Sequence, residues 1–70
     1  ASLTVRLCPA QSLEDAQLTA YVDGRRHHVQ RFTATPAKPL KTTIAVPLDG
    51  CVTVIVHEHD MELARIVIPP

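Results

Sequence analysis

Two histidines stand two residues apart in Val56-His57-Glu58-His59-Asp60, and two more are adjacent in Arg25-Arg26-His27-His28, so four imidazoles occur within 70 residues. On a strand, side chains two apart share a face. His57 and His59 are therefore candidate ligands for a cation such as Zn²⁺, with Asp60 beside them, provided a third or fourth ligand converges on the pair. Cys8 and Cys51 are the only cysteines. Their separation excludes a CxxC redox or zinc motif. An even pair in a domain with a small core is the pattern of one disulfide in an exported protein, and the other reading is two unpaired thiols behaving as small apolar residues.

Nucleophilic catalysis needs a nucleophile, a base within reach and an oriented third group, and no glycine-framed nucleophile is present. The chain has only two glycines, both in turn-like contexts, so no phosphate-cradling loop is expected. No catalytic residue and no cofactor is assigned. Arg25, Arg26, His27, His28 and Arg31 form the one local basic cluster. Seven basic residues balance seven acidic ones, so the overall field gives no reason to expect nucleic acid or anionic lipid as a partner. No apolar run approaches the roughly 20 residues that cross a bilayer as a helix.

Positioning these residues falls to strands. Tyr21 and Phe32 are the only aromatics, so a core must be built from branched aliphatics, which favour strands. Leu3, Val5 and Leu7 alternate with polar residues until Pro9 ends the pattern. The stretch from Cys8 to Gln17 reads as a polar connection, with Ser12 and Asp15 able to cap one short helical turn. Alternation resumes at Leu18, Ala20 and Val22, and Asp23-Gly24 signals a type I′ hairpin. That turn pairs Tyr21 with Arg26, Ala20 with His27 and Thr19 with His28, which places the two histidines on opposite faces. Pro36 and Pro39 then mark an extended crossing or a blunted edge.

Leu40, Thr42, Ile44 and Val46 face Val52, Val54 and Val56 across "PLDG". A second hairpin is expected there, through a three-residue loop, Leu48-Asp49-Gly50, with the glycine left-handed, since a two-residue loop would set the apolar stripes on opposite faces. In that register Lys41 lies opposite His57 and Pro39 opposite His59. Neither supplies a third ligand, so no metal is expected. Ala64, Ile66 and Ile68 form the inward set of a last strand.

The residues Val22-Asp23-Gly24, Thr35-Pro36, Val46-Pro47, Gly50, Val52, Val54 and Val56 resemble the PEGA and carboxypeptidase-regulatory-like modules of the transthyretin-like sandwich group, whose repeats run V-D-G, T-P, P-x-x-G and V-x-V. The chain departs from them at Cys51-Val52, where an aromatic is usual after the turn, and at His59-Asp60, where a Gly-Tyr pair is usual beyond the next strand. The resemblance implies a non-catalytic accessory module of a secreted or cell-envelope protein.

The sequence thus predicts one domain over residues 1–70, an all-β antiparallel sandwich of about six strands, acting as a non-enzymatic interaction or structural module. The expected compartment is extracellular or periplasmic, and the expected disulfide is Cys8 to Cys51. The expected partner is a protein or a neighbouring domain, contacted through Tyr21, Arg26 and His28 on the hairpin or through Ile66 on the final strand. Two alternatives are a small metal-binding protein using His57 and His59, and a noncatalytic subunit of an enzyme complex.

Overall fold

The computed structural model describes residues 1–70 and contains six strands with no helix: β1 (Ser2–Leu7), β2 (Leu13–Val22), β3 (Arg25–Ala34), β4 (Leu40–Ala45), β5 (Val52–Glu58) and β6 (Met61–Ile68). They form two antiparallel sheets, a two-stranded one ordered β1-β4 and a four-stranded one ordered β3-β2-β5-β6. The alternation that defines each strand also defines the core. Val5 and Ile44 contribute from the small sheet, while Ala16, Leu18, Ala20, Phe32, Val52, Val54 and Val56 contribute from the large one. Small and large residues complement one another: Phe32 pairs across the ladder with Ala16, whereas Leu18 pairs with Val56.

The Asp23-Gly24 turn forms as its sequence requires. Both central residues have positive φ, 52° and 81°, and Val22 pairs with Arg25 across it. The crossing at Thr35-Pro39 also forms, carrying the chain from the large sheet to the small one, and it is pinned by mutual backbone hydrogen bonds between Thr35 and Lys38 at 3.1 Å. Pro36 and Pro39 lie within this crossing, so they blunt no strand edge.

The hairpin expected between residues 40 and 56 does not form. β4 pairs with β1, Leu3 against Ile44 and Leu7 against Leu40, while β5 lies between β2 and β6. Val52, Val54 and Val56 are matched on one side by Val22, Ala20 and Leu18 and on the other by Ile68, Ile66 and Ala64. A wholly apolar stripe is buried better at the centre of a sheet than at its margin. Gly50 consequently sits in a second crossing rather than in a bulged turn, and it lacks the positive φ expected of it.

The connection after Pro9 is shorter than expected and contains no helical turn, because β2 begins at Leu13. Leu13 and Ala16 are both buried although they stand three positions apart, an odd spacing that a regular strand would split between faces. A register shift between them against β3 absorbs the extra residue and returns both side chains to the core.

Cys8 and Cys51 are unbonded, which corrects the expected disulfide. Leu3 shares a hollow with Val52 and Ile68, and Leu7 shares another with Val56 and Ala64, so β1 and β5 run in the same direction. Cys8 follows the far end of β1 while Cys51 precedes the near end of β5. Roughly five residues of strand at about 3.3 Å each separate the two levels, well beyond the roughly 7 Å between Cα atoms that a disulfide can bridge. Alkylation of unreduced, denatured protein is expected to label both thiols by mass spectrometry. A species with neither labelled would contradict the placement.

Candidate functional site

His57 lies on the outer face of the large sheet, since its neighbour Val56 faces the core, and it stands between Gln17 on β2 and Glu62 on β6. Lys41 and Pro39 are on strands of the other sheet or the crossing, and neither is its neighbour. The histidine side chains at 57 and 59, with Asp15, Gln17, Arg31 and Asp60, border a polar hollow of about 300 Å³. His59 adopts φ 55° at the first position of the His59-Asp60 turn, a left-handed conformation for which glycine is the favoured residue. No three His, Cys, Asp or Glu side chains of the chain are grouped so as to hold a metal ion. Arg31 places a fixed positive charge at the same hollow.

Tyr21, Arg26 and His28 do not form one patch. Tyr21 and Arg26 pair with each other on the outer face, whereas His28 pairs with the buried Ala20 and lies on the inner one. A register shift between Ala20 and Tyr21 makes His27 an extra residue in β3. The shift overturns the expected alternation of His27 and His28 across the strand: His27 reaches β4, and His28 pairs with the buried, inward Ala20. His27 Nε2–H donates to the Ala45 carbonyl oxygen at 2.6 Å. The Gln30 side-chain oxygen accepts from His28 Nε2 at 3.2 Å and from the Thr42 hydroxyl at 3.0 Å. His27 and Gln30 thus stitch the two sheets along the β3–β4 side, and His28 braces Gln30 from its own strand.

The opposite side of the sandwich has no such stitching. There the inner face of β6 carries Ala64, Ile66 and Ile68, paired with the core residues Val56, Val54 and Val52. Ala64 and Ile68 pack against the core, whereas Ile66 between them does not. One apolar hollow of about 230 Å³ opens between Leu7, Leu13, Leu63 and Ala64, and a second of about 210 Å³ opens between Leu3, Val46, Leu48 and Ile68. Ile66 lies on the strand between them and is 52% exposed despite facing inward. Met61, Leu63 and Val67 are exposed on the same strand at 67%, 42% and 57%. Single exposed apolar residues are ordinary, but here they lie along both faces of one strand, Ile66 inward and Val67 outward.

β6 is also an edge strand, hydrogen-bonded only to β5. Its sole charges are Glu62 and Arg65, and they neutralise one another. Arg65 Nη2 reaches Glu62 Oε1 at 2.7 Å, and Arg65 Nε reaches both carboxylate oxygens at 3.2 Å. The hydrogen bond from Arg65 holds the Glu62 carboxyl below its usual range. A depressed folded value means that the pair stabilises above the unfolded value and that this contribution fades as pH falls through the folded one. Both side chains are exposed, so the pair adds little to stability. The other outer edge, β3, is guarded differently, with Arg25, Arg26 and Arg31 and no acidic residue.

The alternation of the sequence marked Ala64, Ile66 and Ile68 as the inward set of the last strand, as the pairing shows. Leu63 and the two hollows were not identified. Leu63 is the extra residue at the register shift between Val56 and His57, a displacement that no periodic pattern marks. No protein-family model matches the chain, and no curated protein or solved structure matches it either.

Proposed function

We propose that the domain is a non-catalytic interaction module of a secreted or cell-envelope protein and that it binds by taking an extended segment onto the β6 edge. One observation carries this reading: β6 presents unpaired backbone groups and four exposed apolar side chains beside an apolar groove, with its only two charges paired to each other. Strand addition draws affinity from main-chain hydrogen bonds and specificity from alternate side chains entering adjoining hollows. Ile66 and the flanking hollows supply such a surface. Placement outside the cytosol rests on the PEGA-like turn and strand residues quoted above, since the unbonded cysteines lend it no support.

A fluorescent eight-residue peptide of alternating valine and threonine, flanked by lysines for solubility, tests the reading by anisotropy. Binding is expected for the folded domain, with at least tenfold weakening in Ile66→Lys and in the same peptide carrying a central proline. A peptide that fails to bind, or that binds Ile66→Lys equally well, would remove the β6 edge as the site.

A further inference from the structure

Resting on that strand-addition reading, we infer that the segment received by β6 is β6 of a second copy of this chain, in an antiparallel, two-fold symmetric pair centred on Ile66. The edges of the molecule are not equivalent as self-partners. Two β3 edges would bring together three arginines from each copy with no acidic residue between them, an arrangement that like-charge repulsion opposes. The β4 edge lies alongside β3, where His27 bonds the Ala45 carbonyl and the Thr42 hydroxyl bonds Gln30. On β6 each arginine is already neutralised by its own Glu62 at 2.7 Å, so two copies meet without net charge.

The strand also fixes the register. A register shift at Leu63 interrupts β6 on one side and Pro69, which has no N–H to donate, ends it on the other. The regular stretch between them is Ala64–Ile68, and its middle residue is Ile66. A two-fold axis through that residue and perpendicular to the sheet keeps the inner faces of both copies on one side. Ile66 then stands opposite Ile66 of the second copy, Ala64 opposite Ile68, and Arg65 opposite Val67. Every inner pair is apolar. A pair centred one residue earlier would set Arg65 against Arg65, and cross-strand like charges are unfavourable. The result is a continuous eight-stranded sheet in which Ile66, half-exposed in the single chain, becomes central.

Sedimentation equilibrium and a cysteine cross-link test the inference together. Weight-average mass is expected to rise with concentration from that of one chain towards that of two, and Val67→Lys, on the outer face of the same edge, is expected to weaken association at least tenfold while circular dichroism keeps its strand signal. In a Cys8→Ser, Cys51→Ser background, Ile66→Cys is expected to oxidise to a covalent dimer faster than Arg65→Cys, because only residue 66 faces itself across the axis. A single-chain mass at all concentrations, association indifferent to Val67→Lys, or faster cross-linking at position 65 would each overturn the inference. A chain that stays single yet binds the valine–threonine peptide would sink the second copy and leave strand addition standing. Failure of both would remove both.

Discussion

Leu18→Ala is expected to lower the unfolding free energy by about 2–5 kcal/mol, the range for truncating a fully buried leucine. Leu18 is 0% exposed and is the largest side chain so completely enclosed. It sits on β2, between Gln30 of β3 and Val56 of β5, where backbone pairing on both sides prevents the strand from collapsing into the space vacated. The lost apolar contact and the unfilled cavity therefore add together. Stability of about 0.05–0.15 kcal/mol per residue gives a chain of this length only a few kcal/mol to about ten, so the substitution consumes much of the margin. Urea unfolding followed by circular dichroism checks it, with a shifted midpoint at unchanged slope. Leu48→Ala is the control: that side chain is 85% exposed, and its removal is expected to change stability by no more than about 0.5 kcal/mol. Equal effects at the two positions would mean that the core is not centred on β2.

Leu18 was legible from the sequence because it begins a regular alternation, and the same is true of the inward residues of β1, β5 and β6. The Asp23-Gly24 turn was legible for a different reason: few residues accept positive φ at two successive positions. What the sequence did not disclose was partnership. The stripe Leu40, Thr42, Ile44 matches Val52, Val54, Val56 in parity, yet the chosen partners are Leu3, Val5 and Leu7, residues with the same parity and a distant origin. Alternation specifies which face a residue occupies and leaves open which strand lies beside it. The extra residues at positions 14–15, 27 and 63 were hidden for a related reason. Each breaks the period of two where a register shift occurs, and a broken period in isolation reads as loop.

The candidate site divides along the same line. The inward parity of Ile66 was legible because it belongs to a periodic set, while its 52% exposure was not, because alternation does not say what lies over a strand. His28 was grouped with Tyr21 and Arg26 by a hairpin register that the shift at His27 overrides. The two histidines at the β3–β4 seam gain structural partners, which leaves the β1–β6 side as the open one. One flank of the sandwich is thus closed by polar side chains, and the other ends in apolar ones with an unpaired edge. That asymmetry is why the functional reading rests on β6.

Gly50→Ala is expected to destabilise the domain by about 1–3 kcal/mol, the usual range for forcing an extra methyl group into a packed site. The reason is space rather than backbone conformation, since Gly50 lacks the positive φ that only Gly24 among the glycines shows. A methyl group at position 50 would lie 2.9 Å from Val22 Cγ1 and 3.2 Å from Pro47 Cγ. Val22 is a β-branched strand residue with a restricted χ1, and the proline ring has little freedom, so neither yields readily. The crowding falls on the join between the second crossing and the first hairpin. There Asp23 N–H donates to the Cys51 carbonyl at 2.9 Å, and Cys51 N–H donates to Asp23 Oδ1 at 3.0 Å. Moving Val22 aside strains this reciprocal pair, which holds the start of β5 against the turn. The specific test is a double-mutant cycle with Val22→Ala, which removes the nearest contact. The combined loss is expected to be smaller than the sum of the separate ones, with a coupling of about 0.5 kcal/mol or more between residues in direct contact. Strict additivity, or a Gly50→Ala protein as stable as the parent, would show that the crossing does not press on Val22.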